Sequence, residues 1–202
     1  MSEPGPAARV VVGDLLVATP DLVDPNFRHA VVLVLDLDED GALGVVLNRP
    51  STVPVAEVLP DWGELAGTPD VLFSGGPVAT DSALAVGASM TWESSGPRVA
   101  LDDGAEPVGF RRLYDDVGIV DLDAPTPVVA PALTHLRVFA GYAGWGLEQL
   151  SEEIRSGSWY VVPSVHADLF GADPERLWQR VLRRQPGELA WVSTRPADPT
   201  LN

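Results

Sequence analysis

At 202 residues the chain has the length of a single domain, and its formal charge of −16, from 13 basic and 29 acidic residues, argues against general binding to nucleic acid. It contains no cysteine, which excludes disulfides, thiolate metal sites and cysteine nucleophiles; it contains no lysine, which excludes Schiff-base chemistry and a P-loop lysine. The N-terminus MSEPGPAAR has no signal-peptide pattern, and the longest apolar run (30–35) is far short of the ~20 residues of a membrane helix, so the expectation is a cytoplasmic protein with no membrane contact.

In chain order, residues 1–8 read as a loose tail, 9–193 as one domain, and 194–202 as a second tail rich in polar residues and proline. VVVGDLLVA (10–18) is the first strand candidate, interrupted at Gly13-Asp14. HAVVLVLDL and LGVVLNR follow, separated by DEDG, which predicts a hairpin with a two-residue turn at Asp40-Gly41. That turn would pair Glu39 with Ala42, Asp38 with Leu43 and Val34 with Leu47. Both strands are apolar at consecutive positions, so both of their faces should be covered. VPVAEVLPDW (53–62) holds a short helical stretch cut by Pro60.

Further strands are expected at 71–75, 83–87, 117–122, 136–143 and 159–162. Surface loops are expected at 89–97, 101–107 and 123–131. GLEQLSEEIRSG (146–157) predicts a helix with Leu147, Leu150 and Ile154 on one stripe. DPERLWQRVLRRQPG (173–187) predicts another, with Asp173 as N-cap, Pro174 at the first helical position and Leu177, Val181 and Leu182 buried. Strands outnumber helices without regular alternation, which is the pattern of an α+β fold.

Four clusters resemble functional motifs. Asp36, Asp38, Asp40 and Gly41 match the start of a helical calcium loop, but the position that needs a bidentate glutamate is Leu47. In a hairpin that residue lies five or six positions from the tip, about 16–20 Å away. A solvated charged tip accounts for the acids.

Gly141, Gly144 and Gly146 lead into a helix, but in the order G-x-x-G-x-G and with Glu148 in the first turn, which disfavours a phosphate. They read as a tight strand-to-helix connection. LFSGGPV places Ser74 before two glycines without G-x-S-x-G, and His29, His135 and His166 form no metal array. Arg176, Arg180, Arg183 and Arg184 form a basic patch, read first as a solvated helix face.

GDLLVATPDLVDPNF (13–27), DEDGALGVVLNRP (38–50), LFSGGPV (72–78), FAGYAGWGLEQL (139–150) and SWYVVP (158–163), in this order, resemble the AlgH/YqgE family of bacterial proteins. The resemblance implies a single α+β domain whose bent mixed or antiparallel sheet forms a pseudo-barrel packed with helices. Some members are described as transcriptional regulators, and no enzymatic activity is established for the family as a whole. Where the family commonly reads Gly-Gln-Leu-Glu, this chain has Glu148-Gln149-Leu150-Ser151, so that glycine and glutamate are not indispensable to a shared chemistry. The family often has histidine or asparagine around Asp36 and Asp38, which weakens the calcium reading further.

These motifs fall at strand ends and turns, where binding residues concentrate on rigid scaffolds. Candidate binding residues are Asn48 and Arg49 for directional hydrogen bonds, Gly75 and Gly76 in a neighbouring loop, and Tyr142 and Trp145 as an aromatic wall. Backbone geometry is the competing explanation for the glycines. No catalytic residue, metal ligand or cofactor is assigned. The expectation is a non-catalytic regulatory or binding protein acting through a protein partner or small ligand. A hydrolase with an unmotifed site at the same loops is the alternative, and a nucleic-acid-associated factor using the last helix is a weaker third.

Overall fold

The computed structural model describes residues 10–89 and 107–193; both expected tails, and residues 90–97 and 101–106 of two expected loops, lie outside that range. The chain forms β1 (Asp14–Ala18), β2 (Val31–Leu37), β3 (Gly41–Val46), β4 (Pro50–Pro54), α1 (Val55–Val58) and a 3-10 turn over Pro60–Leu65. Next come β5 (Val71–Ser74), β6 (Val78–Ser89), β7 (Phe110–Tyr114), β8 (Val117–Val120) and α2 (Thr126–Val129). The chain then adds β9 (Leu133–Gly146), α3 (Leu147–Arg155), β10 (Trp159–Pro163), α4 (His166–Phe170), α5 (Leu177–Arg183) and α6 (Glu188–Val192). The result is an α+β domain built on a curled, mostly antiparallel sheet.

β9 organises the curl. Ala143–Gly146 pair with β3, while the preceding half pairs with β6 on one side and, in parallel, with β5 on the other. The change of partner comes at Gly141, which sits at φ +72°. A Cβ there would lie 2.7 Å from the Val78 carbonyl oxygen, so only glycine lets the strands cross this closely.

β2 illustrates why consecutive apolar residues were needed. Val31, Leu33 and Leu35 face the main core inside the curl, while Val32 and Val34 face a second core behind it. Helix α5 closes the inner core with Leu177, Val181 and Leu182, all fully buried. Leu150 of α3, with Phe27 and Ile154 partly buried, covers the second core. Val55, Trp62 and Val129 from α1, the 3-10 turn and α2 cover a third. The two outer strands of the ordered sheet are β7 and β10; Tyr114 of β7 donates at 3.1 Å to Oγ of Ser164, the residue after β10, and Ser164 donates to the Gly13 carbonyl at 2.6 Å.

Four local expectations are corrected. Residues 123–131, expected as a surface loop, hold helix α2, whose Val129 is fully buried in the third core. The β2–β3 hairpin forms in a different register, pairing Leu37 with Ala42, Asp36 with Leu43 and Val34 with Gly44, with an irregularity at Leu35. The Asp38 carboxylate accepts from the Asp40 and Gly41 amides at 2.8 and 3.1 Å, which builds a longer side-chain-stabilised turn.

β9 runs through Gly144 and Gly146 directly into α3, so the glycine run is strand and not a connecting turn. The last long helix begins at Leu177 with Arg176 in the cap position. The Asp173 carboxylate faces Arg176 Nε at 3.7 Å instead of capping the helix, and residues 174–176 form a turn in which the Leu177 amide donates to the Pro174 carbonyl.

Candidate functional site

The motif loops do converge, but mainly through their backbones. Asn48 Oδ1 accepts from the Val31 amide at 2.9 Å, and its Nδ2 donates to the His29 carbonyl at 2.8 Å. Both ends of the amide side chain are thus engaged in closing the end of the β2–β3 pair. Asn48→Ala should cost about 2 kcal/mol, one unit for each lost bond, and lower the melting temperature by roughly 4–8 °C. Thermal unfolding checks this, and an unchanged midpoint would contradict the structural role.

Arg49 donates to the Arg28 carbonyl at 3.1 Å, and its own carbonyl accepts from the Ser74 amide at 2.9 Å. Gly75 and Gly76 continue from there and cross over β9 at Gly141–Ala143. The crossing places Arg28, His29 and Arg49 around one end of the sheet. His29 is held at φ +55°, a conformation uncommon for a residue with a side chain, and its ring lies 4.6 Å from that of Trp178. Burial, followed by the charges of Arg28 and Arg49, lowers its pKa below the ordinary histidine value. The imidazole is neutral at pH 7, between two permanent cations.

Tyr142 and Trp145 lie elsewhere. They line an open depression of about 270 Å3 with Asp36, Asp38 and Asp40. Only edges of Trp145 reach it, because the residue is 5% exposed and packs against Phe27 and Trp159. The indole N–H groups of Trp145 and Trp159 both donate to Glu153 Oε2, at 3.0 and 2.8 Å, while Gln149 donates to Oε1. Glu153 is thus a structural clamp that the sequence pattern did not single out. No group of three histidine or carboxylate side chains among the described residues is arranged to hold a metal ion.

Two further histidines come together from distant positions. The rings of His135 and His166 are 4.7 Å apart, both pack on Phe170, and His166 Nε2 is 3.8 Å from Asp116. Burial, with the charge of His166 next, lowers the pKa of His135. Thr134 Oγ1 lies 3.2 Å from His135 Nδ1, but it donates its proton to the Ala88 carbonyl and so offers no activated hydroxyl.

Arg137 went unnoticed in the sequence, where its only signal is a cation inside the apolar run LRVFA. It is 3% exposed and donates to the carbonyls of Leu169, Thr68 and Gly171 at 2.6, 3.2 and 3.1 Å. Its guanidinium carbon sits 4.4 Å above the Phe73 ring. Burial, assisted by the charge of Arg180, pulls its pKa down to about 10.

The arginine patch divides in a similar way. Arg184 binds the buried Asp168 and the Pro163 carbonyl, and Arg180 binds the Asp173 and Ala167 carbonyls. The face expected to be solvated is therefore partly structural.

No helix among the described residues is long and apolar enough to cross a membrane. A family model described as AlgH-like matches residues 15–190. A UPF0301 protein of Streptomyces coelicolor is 55% identical over 192 residues, covering 95% of each chain. A UPF0301 protein of Thermobifida fusca is 50% identical over 201 residues, covering 95% of this chain and 96% of its own.

Among solved structures, a Corynebacterium diphtheriae protein superposes with a TM-score of 0.80 at 31% identity, covering 96% of this chain and 95% of that one. The solution structure of the AlgH protein from Pseudomonas aeruginosa gives 0.62 at 25% identity, with 97% and 98% covered. The match extends over nearly the whole described fold, from β1 to α6, and the chain belongs to the AlgH-like family.

Proposed function

We propose that this chain is a cytoplasmic, non-catalytic binding protein with a regulatory role, acting through a protein partner or small ligand that presents an anionic group. The observation that carries the reading is the gathering of Arg28, His29 and Arg49 at one end of the sheet in a chain of charge −16. Against such a background, a local cationic spot focuses potential and selects for negative charge. Asn48 and the strained His29 backbone hold the loop in place, so its donors are preorganised. Gly75 and Gly76 form scaffold beside this end, whereas Tyr142 and Trp145 line the separate depression by Asp36, Asp38 and Asp40.

The test is a thermal-shift screen of small carboxylates and phosphates, with affinity capture from native lysate, using wild type and Arg49→Gln. The expected result is a ligand or partner retained by wild type and lost by the variant, whose own melting temperature stays within about 2 °C of wild type. Ligands and partners bound equally by both proteins would refute the reading.

A further inference from the structure

Helix α5 carries a second cationic feature, remote in its chemistry from the loop end. A groove of about 250 Å3 runs along it, lined by Asp173, Arg176, Gln179, Arg180 and Arg183. Positions 176, 180 and 183 follow offsets of four and three and so share one helical side, spread over about 10 Å at 1.5 Å per residue.

The three arginines are not equally committed. Arg180 is anchored from behind by the Asp173 and Ala167 carbonyls, and its Nε is buried without a hydrogen-bond partner. No carboxylate pairs with it among the described residues, and its charge acts on the buried Arg137, which has no carboxylate partner either. Among the described residues, these two neighbouring guanidiniums are left without a counter-ion. Arg176 meets only the Asp173 carboxylate at 3.7 Å, and both side chains are exposed, so that contact is weak and exchangeable. Arg183 is exposed at the end of the row.

We propose that this groove is a binding site for a small anion carrying two or more phosphate groups, a site separate from the loop end of the preceding section. Guanidinium forks match phosphate oxygens in pairs, and a row of three exceeds what one carboxylate can engage. The groove volume suits a compact ligand, and the surrounding charge of −16 opposes a long polyanion such as a nucleic acid strand. A bound phosphate also supplies the counter-charge that Arg180 and Arg137 lack among the described residues.

Titration calorimetry with inorganic pyrophosphate at physiological salt tests this on the full chain. Wild type should bind saturably at one site, and the double variant Arg176→Gln/Arg183→Gln should bind about tenfold or more weakly. The variant should unfold at the wild-type temperature, since both side chains are exposed. Arg49→Gln should bind pyrophosphate as wild type does, which keeps this site distinct from the loop end. Absence of saturable binding, or equal affinity in the double variant, would overturn the proposal. Tighter binding of a single-stranded oligonucleotide, lost in the same variant, would also overturn it by assigning the groove to nucleic acid.

Discussion

Replacing Arg137 with alanine is expected to cost about 3–5 kcal/mol and to lower the melting temperature by roughly 6–20 °C. The side chain joins three elements that no backbone ladder connects: β9, the C-terminal end of α4 and the loop at Thr68. The carbonyls of Leu169 and Gly171 belong to a helix end, where carbonyls lack intrahelical partners. Truncation leaves all three acceptors without this donor and opens a void against Phe73.

Arg137→Met separates the contributions, because it restores much of the volume and removes the buried charge while the carbonyls stay unpaired. It should fall between wild type and alanine. Arg137→Lys keeps a charge but has no planar fork, and one ammonium cannot reach three divergent carbonyls. It should be no better than methionine. A drop below about 3 °C for alanine, which corresponds to ~1 kcal/mol, would mean that water replaces the guanidinium freely.

Much of this architecture was legible because burial writes itself into hydrophobic pattern. The continuous apolar runs of β2 and β3 announced strands covered on both faces, and Leu177, Val181 and Leu182 announced the buried side of α5. What escaped were features in which side-chain chemistry overrides pattern. Asp38 caps its own turn and shifts the hairpin register, which no count of residues between strands reveals. β4, reading PSTVP, and β7, reading FRRLY, are too polar or proline-rich to look like strands and owe their place to pairing with β5 and β8.

The candidate site was legible as a set of loops, not as a set of side-chain roles. Asn48 sits where a ligand-binding amide would sit, yet both its polar ends are engaged by the chain itself. Arg28, which with Arg49 gives that end its charge, and His29 carry no motif and become neighbours of Arg49 only on folding. His135 and His166 meet in the same unannounced way.

The glycines divide the structural from the binding reading most sharply. Gly76→Ala should cost about 3–5 kcal/mol, lowering the melting temperature by roughly 6–20 °C. An added Cβ would stand 2.2 Å from the carbonyl carbon and oxygen of Tyr142 and 2.4 Å from the Ala143 nitrogen, at a backbone φ of +156°. Every one of these obstacles is main chain in the shared strand β9, so no side-chain rotation relieves the clash. Gly75 is in the same position, with its Cβ 2.2 Å from the Gly141 carbonyl oxygen.

Gly144 supplies the contrast. It lies in the same glycine-rich strand, but a Cβ there meets nothing closer than 3.8 Å. Gly144→Ala should therefore shift the melting temperature by no more than about 3 °C. If the motif glycines exist to let strands cross, Gly76→Ala and Gly144→Ala will separate widely in stability. If instead Gly76 is there for a ligand to approach, its alanine variant will melt like wild type and fail only in binding, and the packing account of the crossing will have to be abandoned.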